Sequence, residues 1–496
     1  VTAYEALCDR FRRLSAIGGA LAVLEWDRSA MMPDGGADAR AEQIATLSVI
    51  RHELLAAPQV ADWLNEAERS GAAAGDWDGA NLREMRRHWR HATALPADLV
   101  DARSRATATC EMVWRAARRD DDFAAFAPSF AEVLRLTREV AAAKAEAFGL
   151  SPYDALVEEY EPGGRAAAFE PVFDELLTFL PAIRQAALER QATRPAPALP
   201  PGPFATAIQR DLGLRFMTAL GFEFRHGRLD VSLHPFTGGV PEDVRLTTRY
   251  REDDFTGALM GVLHETGHAL YERGLPAGWL HQPVGEARGM IAHESQSLLI
   301  EMQVCRGRDF LSWAVPLMRE AFGGTGAAWS LDNMAGLYAR VRPGLIRVDA
   351  DEVCYPSHVI LRYRLERALL SGDLAIADLP GAWRDGMKAL LDVDVPTDRD
   401  GCLQDIHWPS GSFGYFPTYT LGALAAAQLY AAARTQEPAI PGAIASGNFQ
   451  PLLSWLRVRV HGLGSRLTFD ELMRAATGAP LSAGAFRAHL EQRYLA

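Results

Sequence analysis

Apolar residues recur at helical spacing along most of the chain, and the alternation a strand needs is confined to one short region. Ala3 to about Gly149 is rich in Ala, Leu, Glu and Arg and predicts helices throughout. Ser151 to Gly164, with Pro152, Pro162 and paired glycines, predicts a turn-rich junction. Helix resumes over Phe169 to Arg194, a proline-rich connector runs to Pro203, and Phe204 to Leu220 is helical again. Arg228 to Leu233 and Val244 to Tyr250 read as strands. In the second, Val244, Leu246, Thr248 and Tyr250 alternate with Arg245, Thr247 and Arg249. Helical patterns follow at Phe255 to Leu275, Glu286 to Arg306 and Phe310 to Tyr338, then in a helix ending near Ser371 and Gly372, and from Ala423 to the last residue. The fold class is mainly α with a small β region, and the connector suggests approximate lobes of residues 1–203 and 204–496.

The Phe255 helix carries chemistry. Phe255, Leu259, Val262, Leu263, Leu270 and Tyr271 form its apolar stripe, Asp253 and Asp254 crowd its start and Gly274 follows its end. Within it lies His264-Glu265-Thr266-Gly267-His268. Residues four apart share a helix face, so His264 and His268 can turn two imidazole nitrogens to one metal ion with Glu265 beside it as a base. A catalytic zinc usually takes three protein ligands and keeps a fourth position for water. The Glu286 to Arg306 helix supplies candidates in Glu294, our choice, and Glu301, two turns further on. The competing reading of such a motif is an ordinary polar helix face, but the apolar surroundings and the acid-bearing helix that follows favour a metal site.

Composition narrows the function classes. A net charge of −12 without a Lys/Arg block argues against nucleic acid or an anionic membrane as partner. The arginines between Arg83 and Arg90 have acids close by and read as a solvated helix face. Five scattered cysteines suggest a reducing compartment, and no signal-like start or membrane-length apolar run is present, so a cytoplasmic protein is expected.

Other polar clusters suit a substrate site. His234-Pro235-Phe236 and Asp243-Val244-Arg245-Leu246-Thr247 flank the strands just before the Phe255 helix, where a strand edge can hold an extended peptide; a plain structural hairpin with an Asp–Arg pair is the alternative. Arg347 lies among Asp349, Asp351 and Glu352, with His358 and Arg362 on the next helix. Between Gly401 and Gly422, polar donors, aromatics and glycines build a substrate-facing loop in which Tyr415, Tyr419 or His407 can donate to an oxyanion.

Taken in order, His234-Pro235-Phe236, Asp243-x-Arg245-x-Thr247, His264-Glu265-x-x-His268, His293-Glu294-Ser295, Ile346-Arg347-x-x-Ala350-Asp351-Glu352 and Gly401-x-x-Gln404-Asp405-x-His407-Trp408 resemble the motifs of the M32 metallocarboxypeptidases, the thermostable carboxypeptidase type. The resemblance implies a mainly α fold similar to neurolysin and angiotensin-converting enzyme, two-lobed, with a deep groove and a small sheet by the metal helix, the whole chain acting as one catalytic unit. It implies removal of single residues from peptide C-termini, a zinc or cobalt ion, and a homodimer. Carried over are His264, His268 and Glu294 as ligands, Glu265 as base, Arg347 as anchor of the terminal carboxylate, and Tyr415 and His407 as transition-state donors. His234, Arg245 and Tyr419 join the substrate-binding set. An endo-oligopeptidase or dipeptidyl carboxypeptidase on the same fold, and a silent metal-stabilised peptide-binding scaffold, are the rivals.

Overall fold

The computed structural model describes residues 1–71, 73, 75–232 and 234–496. It is mainly helical, and its helices begin and end where local chemistry allows. Thr2 accepts from Glu5 N while Glu5 reaches back to Thr2 N, a capping box that starts the Ala3–Ala30 helix. Asp254 caps the Phe255–Arg273 helix by accepting from Thr256 N, and Gly274 ends it. Two predictions need correction. The junction at Ser151 to Gly164 is largely the helix Pro152–Tyr160: Pro152 stands in the first turn, where no amide hydrogen is needed, and Ser151 caps it. The segment Glu286 to Arg306 is two pieces, the helix Gly289–Leu298 and a wider π-helical turn Leu299–Cys305.

The β region has three strands, β1 (Gly227–Val231), β2 (Thr237–Val240) and β3 (Asp243–Thr248), in the order β1-β3-β2. β1 runs parallel to β3 and β2 antiparallel to it, so the two expected strands are not partners in a hairpin. β2 escaped the reading because Gly238 and Gly239 have no strand propensity. Gly239 is required there: its φ is +92°, and a Cβ would meet the Asp243 carbonyl oxygen at 2.1 Å. Leu233, the expected end of β1, lies outside the described residues.

Two units emerge, and neither is continuous in sequence. One comprises residues 1–92, 197–338 and 425–481, the other 93–196, 339–424 and 482–496. A single division at residue 203 therefore differs from the partition found: the proline-rich connector marks one crossing point, while the others fall where the sequence carries no such signal. In the first unit, Leu7, Phe11, Leu14, Val60, Leu64 and Met85 close an N-terminal helical core, and Phe204, Phe255, Phe322 and Trp329 stack under the start of the Phe255 helix. The arginine-rich helix face is more embedded than expected, with Arg86 on Glu68 and Arg87 on Glu84. In the second unit, Phe130 packs between Phe126, Trp408 and Phe413. Among the described residues, no helix is long and apolar enough to cross a membrane.

Candidate metal centre and active site

The Phe255 helix places His264 and His268 one turn apart, with ring centroids 5.0 Å from each other. Gly267 explains how a third group reaches them. A Cβ at this position would meet the Gln296 carbonyl oxygen at 2.5 Å and Ser297 Cα at 2.6 Å, so the bare glycine lets the Gly289–Leu298 helix lie directly against the motif. That contact brings in Glu294, and a ligand atom from each of His264, His268 and Glu294 lies within 4.8 Å of the others.

Neighbours leave the same nitrogen of each imidazole pointing at this cluster. His264 Nδ1 contacts Glu301 Oε2 at 2.9 Å, and Glu301 in turn pairs with Arg306 at 2.5 Å. His268 Nδ1 contacts His293 Nδ1 at 2.7 Å, and His293 Nε2 contacts Glu272 Oε1 at 2.8 Å. A chain in which His268 Nδ1–H donates to His293 and His293 Nε2–H donates to Glu272 satisfies every atom. With both rings neutral, the Nε2 atoms of His264 and His268 are left as the lone-pair atoms. His268 Nε2 lies 3.5 Å from Glu294 Oε2, close to the separation of about 3.4 Å between two tetrahedral ligands bonded at typical zinc distances. The residues present therefore fit a divalent cation, and Glu301, the competing ligand, stands behind His264.

The field favours such a cation. Burial alone would lower His264, but the hydrogen bond to Glu301 and the charges of Glu294, Glu301 and Glu265 lift it to about 10. Burial would raise Glu294; the close approach of His268 and the charge of the neighbouring histidines hold it below its ordinary value. Burial lowers His268, and Glu294 offsets part of that.

Glu265 is buried on the same helix, and Thr237 of β2 fixes it: Thr237 Oγ1 donates to Glu265 Oε2 at 2.6 Å and lies 3.1 Å from its carbonyl oxygen. Sequence reading assigned no role to Thr237, His293 or Glu272 and weighed Glu301 only as a ligand. The signals were Thr237 directly after His234-Pro235-Phe236 and His293 inside the motif His293-Glu294-Ser295.

His234 is exposed on the β1–β2 connection. Arg245 is engaged by Asp243 at 2.6 Å and stacks on Trp26, 4.6 Å from the ring centroid, so the Asp–Arg pair foreseen as the structural alternative is formed.

The other candidates belong to the second unit. Arg347 is buried; Nε and Nη2 donate to Asp405 Oδ1 at 3.1 and 2.8 Å, Nη1 donates to Tyr355 Oη at 3.0 Å, and the guanidinium lies over Tyr419 at 4.8 Å. Arg362 shares the same carboxylate through Oδ2 at 2.6 Å. Burial would raise Asp405; Arg362 and Arg347 reverse this and hold it well below the usual carboxylate range. His407 Nε2 lies 3.1 Å from Tyr419 Oη, and the ring packs on Phe416 and Tyr415. Burial, then Arg347, lowers His407 to about 3, which makes its imidazole neutral at physiological pH. Tyr419 stands in the Pro417–Gln436 helix, not in a loop, because Pro417 opens that helix.

The family model for Carboxypeptidase Taq (M32) metallopeptidases matches residues 6–494. Thermostable carboxypeptidase 1 of Thermus thermophilus is 38% identical over 508 residues, covering 100% of this chain and 98% of the relative. Thermostable carboxypeptidase 1 of Pyrococcus furiosus is 33% identical over 489 residues, covering 98% and 97%. The solved structure of metallocarboxypeptidase 1 of Trypanosoma cruzi is similar with a TM-score of 0.97 and 41% identity, covering 100% of this chain and 99% of that one. The motifs, the convergent His-His-Glu cluster and this full-length likeness place the chain in the Carboxypeptidase Taq (M32) metallopeptidase family, as a metal-dependent carboxypeptidase.

Proposed function

We propose that His264, His268 and Glu294 hold the divalent ion, zinc or alternatively cobalt, and that Glu265 is the general base for removal of single C-terminal amino acids. The observation that supports this most is the convergence of two oriented Nε2 atoms and one buried carboxylate beside a carboxylate fixed by Thr237. A bound zinc ion lends Lewis-acid charge that brings the pKa of a water ligand towards about 7. Glu265 accepts the proton of the attacking water and returns it to the leaving amine.

Arg347 anchors the terminal carboxylate. Three of its five N–H groups are used internally, and two guanidinium groups share the single Asp405 charge, so a net positive charge is left for an incoming anion. Neutral His407, together with Tyr415 and Tyr419, supplies donors for the developing oxyanion. The β2 edge and His234 receive the extended chain, and Arg245 shapes that sheet by holding it against Trp26. Residues 1–496 act as one catalytic unit, a homodimer of the cytoplasm. The five cysteines, free in the structure, accord with a reducing compartment.

The test is Glu265→Gln. It should retain stoichiometric metal and lose nearly all turnover; substantial remaining turnover removes Glu265 as base, and loss of metal makes it a ligand instead.

A further inference from the structure

The Tyr355–Ser371 helix carries a buried carboxylate that none of these roles uses. Glu366 accepts three hydrogen bonds: Tyr153 Oη donates to Oε1 at 2.6 Å, Gly414 N to Oε1 at 3.3 Å and Trp408 Nε1 to Oε2 at 3.2 Å. Among the described residues no cation pairs with it, and burial pushes its carboxyl up to about 7. An apolar side chain would fill the position without the cost of burying a charge, so packing alone does not account for a glutamate. Its donors do. Trp408 and Gly414 bracket one loop, with His407 immediately before it and Tyr415 immediately after it. Tyr153 belongs to the Pro152–Tyr160 helix, and the loop seats on that helix. Gly414 has φ +89°, and a Cβ there would meet Val157 N at 2.9 Å and Leu156 C at 3.0 Å. Tyr160 then packs edge-on against Tyr415, with centroids 5.0 Å apart.

We propose that Glu366 is a positioning residue that grips both ends of the 408–414 loop and thereby sets the orientation of His407 and Tyr415. The inference rests on the reading that these two groups act on the substrate. A carboxylate is needed because Trp408 Nε1 and Gly414 N are donors only. In Glu366→Gln the amide NH2 faces one of them whichever way it is turned.

The experiment measures kcat and KM for Glu366→Gln and Tyr153→Phe alone. It repeats Glu366→Gln in the background of whichever of His407→Gln and Tyr415→Phe costs more turnover. Misplacement of catalytic donors should lower kcat about tenfold or more for Glu366→Gln, with KM within about threefold and metal content unchanged. Tyr153→Phe should give a smaller loss of the same kind. In the second background Glu366→Gln should cost less than it does alone, because one of the two groups it positions is already gone. A kcat untouched in Glu366→Gln, a fall in Tm alone, or full additivity overturns the proposal. If Glu366→Gln does not fold, an unchanged kcat in Tyr153→Phe overturns it instead. If neither His407→Gln nor Tyr415→Phe costs turnover, the reading of those two residues fails first and this inference falls with it.

Discussion

The roles of the site's side chains separate by what each touches. Glu294 and Glu301 are both acids at helical spacing on one stretch of chain, and spacing cannot say which is the ligand. The contacts divide them: Glu294 Oε2 stands beside His268 Nε2, while Glu301 holds the far nitrogen of His264 and is itself held by Arg306. Glu294→Ala should therefore abolish tight metal binding. Glu301→Gln should weaken it by roughly 10- to 100-fold, the usual consequence of losing the partner that orients a ligand. Competition with a chelator measures both, and equal losses would make the two acids equivalent ligands. Arg347 is tied to Asp405 and Tyr355, so its fork is already oriented. Arg347→Ala should raise KM strongly for peptides with a free C-terminus and little for C-terminal amides; equal effects point away from a carboxylate anchor.

At the scale of elements, the metal helix was legible from end to end because cap, apolar stripe and terminating glycine agreed along one segment. The element beside it was not. β2 is Thr-Gly-Gly-Val, and what makes it a strand is pairing with β3, a partnership that no local pattern encodes. Pro152 misled for the opposite reason, since proline breaks a helix inside but suits its first turn. The π turn at Leu299–Cys305 was equally invisible, and Glu366 is one glutamate in a helix full of arginines until its three donors are seen. Gly267 occupies a position that the motif leaves unspecified; its work is to let two helix backbones meet. Gly267→Ala should force them apart at a cost of about 1–3 kcal/mol. It should also weaken metal binding, although no ligand is changed. Tm and metal affinity measured together check this, and an unchanged affinity would mean that the approach of the two helices does not set the ligand geometry.

For the molecule as a whole, buried charge ties stability to pH. Glu84 is 2% exposed in the first unit; burial would raise its carboxyl, but Arg288 and Arg87 hold it at about 2 against an ordinary 4.5. A folded-state value below the unfolded one gives stability that is present above about pH 4.5 and lost as the pH falls towards 2, worth about 3 kcal/mol by linkage. Glu84→Gln should thus be destabilised relative to the parent at pH 7, and the gap in unfolding free energy should narrow steadily below pH 4.5; a gap independent of pH would remove the ion pair as its cause. The central claim is metal-dependent removal of single C-terminal residues through the His264–His268–Glu294 cluster. Its most direct test incubates the metal-stripped protein, and the same protein reloaded with Zn²⁺ or Co²⁺, with one unblocked peptide and its C-terminal amide, products being read by mass spectrometry, and repeats this with Glu294→Ala. The account predicts a ladder of single-residue losses from the free acid alone, only after reloading and not in the variant. Loss of dipeptides, internal cleavage of both peptides, or an undiminished ladder from metal-stripped protein or from Glu294→Ala would contradict it.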